Sequence, residues 1–265
     1  VDCPTLTEVG GLAVVVWHRT ALLHVILLVM KYATLFILLS CTCVFLATSA
    51  ENLLIRFVAG SSAIAFAGVG LGYGFLGAKV FLKKDNGQLS FISYILYWPY
   101  HLLNSLSLFG FRHSGKENAY DKIDENIYLG CRLSPRDAGA MAQLGIQSVL
   151  DLTCEFSEVP ALRGLAYRCI PVLDTCAPTL DQLTAGAAWI QQQAAKGPVY
   201  VHCALGHGRS ATFVAAYLLM SGKSHTTQEA VDKTAALRPK IGLSKSQTAL
   251  LQQLESISLS GPGTK

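Results

Sequence analysis

Two long apolar runs constrain what this chain can become more than any other feature. Residues 32–50 form a stretch of 19 without a charge, and residues 57–82 form a second broken only by Lys79. A helix of about 20 apolar residues spans the roughly 30 Å hydrocarbon core of a bilayer, so each run is long enough to cross one. The whole chain agrees: 51% of its residues are hydrophobic, 14% are charged and the mean hydropathy is +0.40. An ordinary soluble domain carries roughly 25% charged residues. The second run holds Gly60, Gly68, Gly70, Gly72, Gly74 and Gly77, small residues that let helices in lipid approach closely.

The link at 51–56 is too short for anything but an antiparallel hairpin. Arg19 and Lys31 precede the hairpin, and Lys83, Lys84, Arg112 and Lys116 follow it, which places both of its ends in the cytoplasm. Residues 9–30 are apolar but include His18, Arg19 and His24. They read as an interfacial helix, with a third span as the alternative. A signal peptide is the competing reading of an apolar N-terminal segment, but the second long run begins beyond residue 50. Residues 91–103, dense in aromatics around Pro99, suit the headgroup zone; a third span broken by Pro99 is the runner-up. The start at Val1 rather than methionine suggests a missing or processed N-terminus.

From about Tyr120 the composition turns ordinary. Strands are expected at 127–130, 148–152, 167–172 and 199–202, and helices at 135–144, 180–195, 209–220, 227–237 and 244–257. Apolar strands alternating with helices predict an α/β domain with a mainly parallel sheet. The expected organisation is an N-terminal segment (1–31), two transmembrane helices (32–50 and 57–82), an aromatic interfacial segment and linker (83–119), an α/β domain (120–258) and a disordered tail (259–265).

A net charge of +4 is too small and scattered to argue for nucleic acid; it suits a membrane surface or an anionic substrate. Eight cysteines show no disulfide-framework spacing, and no CxxC pair or Cys/His cluster has zinc spacing. No metal or cofactor is therefore expected. Most of these thiols read as buried side chains in a reducing compartment, with a redox switch among Cys154, Cys169, Cys176 and Cys203 as the alternative.

The chemistry concentrates in His202-Cys203-Ala204-Leu205-Gly206-His207-Gly208-Arg209-Ser210. A strand ends, a loop containing Gly206 and Gly208 follows, and a helix begins near Arg209. Backbone N–H groups and the positive helix end then converge on the loop, which makes an anion site. The two glycines supply the backbone angles that this convergence needs. Arg209 adds a planar fork for two phosphate oxygens. Cys203 lies where that field favours thiolate over thiol. The expected reaction is attack of Cys203 on phosphorus, with Ser210 assisting departure of the sulfur and His202 bracing the loop. A carboxylic acid on another loop must protonate the leaving oxygen. Asp174, after a predicted strand, is preferred, and Asp151 is the rival.

His-Cys-x5-Arg-Ser, with Asp174 upstream and the opening Ile127-Tyr128-Leu129-Gly130, resembles the dual-specificity branch of the protein tyrosine phosphatase superfamily. The run 201–206 is particularly similar to bacterial membrane-anchored members. The resemblance covers about residues 120–257 and implies Cys203 as nucleophile, Arg209 as phosphate clamp and Asp174 as general acid. It departs from lipid-directed relatives at His207, where they often carry lysine or arginine, and at uncharged Ala204. A catalytically inactive phosphate-binding module and a rhodanese-like sulfurtransferase are the alternatives. The expected substrate is a phosphorylated protein, with a phospholipid such as phosphatidylglycerophosphate as the other reading. Trp189 and Phe213 read as core residues, and Lys245 and Gln247 as solvated surface.

Overall fold

A computed structural model describes residues 30–114 and 117–259. The segment 9–29, Lys116 and the tail 260–265 lie outside the described residues. Helix α1 (Met30–Ser49) and the continuous helical stretch Leu53–Phe81 are both long and apolar enough to cross a membrane. The second stretch is an α-helix, α2 (Leu53–Leu71), continued by a π-helical turn (Gly72–Leu76) and a 3₁₀ turn (Gly77–Phe81). It begins earlier than its apolar run because the Asn52 side chain accepts from Leu54 N and Ile55 N, capping the first turn. Arg56 therefore sits in the helix, exposed, rather than in the link.

The two helices run antiparallel. Ser40 donates to Ala63 O at 2.8 Å across the pair, and Phe36 meets Phe66. Two of the glycines mark close approaches to neighbouring helices: a Cβ on Gly70 would lie 3.0 Å from Ile37, and one on Gly68 would lie 2.6 Å from Tyr97. Gly60, by contrast, faces open space. Helix α3 (Phe91–Ser114) kinks at Tyr97, where φ/ψ of −113°/17° leave the helical region. Pro99 is the cause, because it lacks an N–H and its ring crowds the carbonyl four residues back.

The α/β domain carries a five-stranded sheet of order β1-β2-β5-β3-β4, with strands β1 (Tyr120–Asp124), β2 (Ile127–Gly130), β3 (Ser148–Thr153), β4 (Ala166–Val172) and β5 (Val199–His202). Only the β1–β2 pairing is antiparallel. Every residue of β3 and β5 is buried, as strands covered on both faces must be. The edge strand β1 escapes the sequence reading because only Ile123 in it is buried.

Helices α4 (Pro135–Gln143) and α5 (Pro160–Arg163) cover one face; α6 (Leu180–Ala194), α7 (Arg209–Met220) and α9 (Lys245–Leu259) cover the other, with α8 (Thr227–Leu237) behind α7. Reciprocal capping boxes start α4 (Ser134 with Asp137) and α6 (Thr179 with Gln182). Phe213 is fully buried and Trp189 packs against the same core.

A separate apolar cluster joins the hairpin and α3 to the domain. Phe66, Tyr73, Phe81, Tyr97 and Tyr100 pack with Cys154 and Leu173, which follow β3 and β4. Residues 83–89 fold back on themselves through a Lys83–Leu89 bridge and bond to Ser157 and Glu158. The hairpin thus rests on the sheet edge where β3, β4 and β5 end.

Candidate active site

The loop between β5 and α7 closes around the Cys203 sulfur. Gly206 N–H and Ser210 O–H both donate to Sγ, each at 3.3 Å. Gly206 has φ +78°, and a Cβ there would strike the Gly130 carbonyl at 2.5 Å, so glycine is needed twice over. Gly208 does not need it for the same reason: its φ is −99°. Burial opposes ionisation of Cys203, yet the Arg209 charge and the Ser210 hydrogen bonds outweigh it and hold the thiol below its ordinary value.

Arg209, 1% exposed, opens α7. Its fork is held by Glu155: Nη1 donates to Oε2 at 3.0 Å and Nη2 to Oε1 at 2.7 Å. Nη1 also donates to Val172 O at 2.9 Å, and Nη2 lies 3.1 Å from Asp174 Oδ1. Burial pushes the Glu155 carboxyl up, but Arg209 overcomes this and holds it below the usual carboxylate range. Sequence reasoning missed Glu155; its one local signal is an acid just past the end of a fully buried strand.

Two aspartates competed for the proton-donor role, and the fold separates them. Asp174 follows β4 with a side chain 63% exposed, on the rim of the cleft above Cys203. Asp151 is fully buried. Its carboxylate takes Lys83 Nζ at 2.6 Å, Tyr167 OH at 2.7 Å and Thr153 N at 2.8 Å, so no substrate oxygen can reach it.

The loop that carries Asp174 is held from two sides. Tyr73 OH, in the π turn of the hairpin, donates to Asp174 O at 3.3 Å, and Gln247 Nε2 donates to Cys176 O at 3.0 Å. Thr175 between them has φ +62°, a strained conformation for a β-branched residue. Gln247 is therefore a buried tie rather than solvated surface, whereas Lys245 is exposed. Cys131, Cys154, Cys169, Cys176 and Cys203 are all free thiols.

Beneath the loop, His202 Nε2 lies 2.6 Å from Glu158 and the ring stacks on Tyr200. Burial disfavours its charge, but Glu158 and Asp151 raise its pKa above the ordinary histidine value. Asp151, Glu158 and His202 bring three ligand atoms within 4.8 Å of one another. A cation there would have to displace the Lys83 ammonium, which already places a positive charge 2.6 Å from Asp151. Arg238, also missed in the sequence, is 1% exposed and donates to the carbonyls of Gly206 (2.8 Å) and Leu205 (3.0 Å). Turning these carbonyls outward leaves the loop's N–H groups facing in. His207 pairs with Glu117 at 2.8 Å and packs edge-on against Phe111 of α3.

The cleft above Cys203 has a volume of about 370 Å³. Cys203, Gly208, Glu155 and Asp174 line one side of it, and α1, Tyr73 and α3 close the other. A buried low-pKa thiol, an arginine fork, a helix N-terminus and a nearby carboxyl are together the equipment of phosphoryl transfer through sulfur.

The dual specificity phosphatase catalytic-domain model matches residues 127–257. Over 170 residues the chain is 30% identical to the phosphatidylglycerophosphate phosphatase PTPMT2 of Arabidopsis thaliana, spanning 62% of this chain and 73% of that protein. It is 40% identical over 145 residues to the Homo sapiens phosphatidylglycerophosphatase and protein-tyrosine phosphatase 1, spanning 51% and 72%. With dual specificity protein phosphatase 22-B of Danio rerio it shares 32% identity over 124 residues, or 46% of this chain and 66% of that protein. Among solved structures, PTPMT1 in complex with PI(5)P superposes with a TM-score of 0.50 at 25% identity, covering 54% of this chain and 98% of that one.

Proposed function

The chain belongs to the dual-specificity branch of the protein tyrosine phosphatase superfamily and is a phosphoric monoester hydrolase, and from that premise we propose that Cys203, Arg209, Asp174 and Ser210 carry its reaction. The observation that supports this best is the Cys203 sulfur held by Gly206 N–H and Ser210 O–H beside the Arg209 guanidinium.

Cys203 thiolate attacks phosphorus, and the ester P–O bond breaks with its electron pair passing to the leaving oxygen. Asp174 gives that oxygen its proton. The N–H groups of residues 204–208 and Arg209 hold the equatorial oxygens as charge spreads over them, while Glu155 fixes the arginine fork and Arg238 the loop. Water then attacks the phosphocysteine and passes a proton to the Asp174 carboxylate. The S–P bond breaks, phosphate leaves, and Ser210 stabilises the returning thiolate. His202 braces the loop from below.

The hairpin anchors this domain to a bilayer, with Lys83, Lys84 and Arg112 on the cytoplasmic side. Substrates are phosphomonoesters presented near that surface: phosphorylated tyrosine, serine or threonine of a protein, as in the dual-specificity relatives. A second reading, a phospholipid monoester, is favoured by one observation, the apolar wall that α1 and α3 contribute to the cleft. Rates on phosphopeptides, phosphatidylglycerophosphate and phosphoinositides at matched concentration, with Cys203→Ser as control, test the assignment. The mechanism requires Cys203→Ser to be inert on all of them; full turnover by that variant would refute it.

A further inference from the structure

The catalytic cleft does not end at the α/β domain. One continuous cavity holds Cys203 and Asp174 at one end and Tyr32, Leu35, Phe36 and Leu108 at the other. The far residues belong to α1 and α3, which lie outside the family-matched region 127–257. Asn104 and Ser107 of α3 also line it, beside the apolar side chains of Leu35, Phe36 and Leu108.

The apolar wall is one helix thick. The outward face of α1 is exposed at Leu38 (60%) and Leu46 (48%), as expected for a surface against hydrocarbon. Its inward face is fixed by stacked rings, with Tyr32 5.3 Å and Phe36 5.8 Å from Tyr73, and Phe36 edge-on to Tyr100 at 5.8 Å.

We infer that α1 and α3 form a binding site for the apolar, chain-bearing part of a lipid phosphomonoester, which enters the cleft from the bilayer while its phosphate reaches Cys203. The inference rests on the reading of Cys203 as the nucleophile. Hydrocarbon chains gain little by exchanging lipid for leucine and phenylalanine. What the wall avoids is their extraction into water, which weakens binding roughly fourfold for each methylene exposed. A peptide in the same place would set part of its backbone against the side chains of Leu35, Phe36 and Leu108, which offer no hydrogen-bond partner. The cleft volume of about 370 Å³ accommodates a phosphoglyceryl group and the first methylenes, with the rest of each chain still in the membrane.

The test uses the full chain in phosphatidylcholine vesicles and compares phosphatidic acid, glycerol 3-phosphate and p-nitrophenyl phosphate. The two alkyl esters leave with the same kind of oxygen and differ in their chains. Dihexanoyl phosphatidic acid, measured in detergent, separates chain contact from confinement to the bilayer. It should exceed glycerol 3-phosphate in kcat/KM by at least tenfold. Leu108→Asn and, separately, Leu35→Ala should remove most of that advantage through KM while leaving p-nitrophenyl phosphate turnover within twofold. Equal rates on the two alkyl esters, equal losses on all three substrates, or an unchanged chain preference in both variants would overturn the inference and leave the phosphatase reading standing. Inactivity of the wild type on every ester, matching Cys203→Ser, would overturn both.

Discussion

Cys203 ionises more readily than an ordinary thiol, although it is buried, because Arg209 and Ser210 act on the sulfur directly. The sign of a pH effect follows. Removing the Ser210 hydroxyl withdraws support from the thiolate, so the Cys203 pKa rises. In Ser210→Ala the acidic limb of the kcat/KM profile should therefore move to higher pH, and hydrolysis of the phosphocysteine should slow as its leaving thiolate is less stabilised. An unmoved limb in steady-state profiles would remove Ser210 from this role. Asp174 is tested by leaving group. Asp174→Ala should cost on the order of 10²–10⁴-fold with an alkyl phosphate and far less with p-nitrophenyl phosphate, whose oxygen leaves unaided; an equal loss on both would take the proton-donor role from it. The grouping of these residues was legible in the sequence because each lies within a short loop or just past a strand end. Glu155 and Arg238 were not, since their partners lie 54 and 32 positions away, and nothing local distinguishes a clamping carboxylate from a surface one.

Strands β2 to β5 and helices α6 to α8 could be read from periodicity and caps, because burial on one face or two imposes a pattern on the residues themselves. Strand β1 and the short α5 carry too little buried surface for that. The kink in α3 announces itself through Pro99, but the packing of α3 against α2 and the site loops depends on ring contacts that no local pattern encodes. The same holds for the tie between the hairpin and β3. Lys83 follows the second apolar run, and its ammonium reaches Asp151 and Thr153 in the sheet. Burial opposes charge on both groups, yet each stabilises the other: the Lys83 pKa is raised and the Asp151 carboxyl lies well below its usual range. Lys83→Met leaves Asp151 buried without its counter-charge, a loss of about 3–5 kcal/mol. Chemical denaturation of the full chain in detergent should show it near neutral pH. The Asp151 contribution is present above the unfolded carboxylate pKa of about 3.9 and fades as pH falls through the depressed folded value, so the gap between variant and wild type should narrow in acid. A variant as stable as wild type at pH 7 would mean that the tie contributes nothing.

At the scale of the whole molecule, the α/β domain and the hairpin meet at the edge where the site is built. Cys154 and Leu173, next to Glu155 and Asp174, pack into the aromatic cluster of the hairpin. The long apolar runs and the strand–helix alternation were legible in the sequence, yet neither feature reveals that the two halves share a cleft. Hairpin topology predicts that Lys31 and Lys84, flanking the two spans, face the same side. Single cysteines introduced at these positions should resist an impermeant thiol reagent in intact cells, and labelling of either one alone would contradict the hairpin. The most direct test of the account is rapid-quench mass spectrometry of the full chain during turnover. It should find one phosphoryl group on Cys203 in the wild type, a longer-lived one in Ser210→Ala and none in Cys203→Ser. A phosphoryl group on any other residue, or turnover by Cys203→Ser, would contradict it.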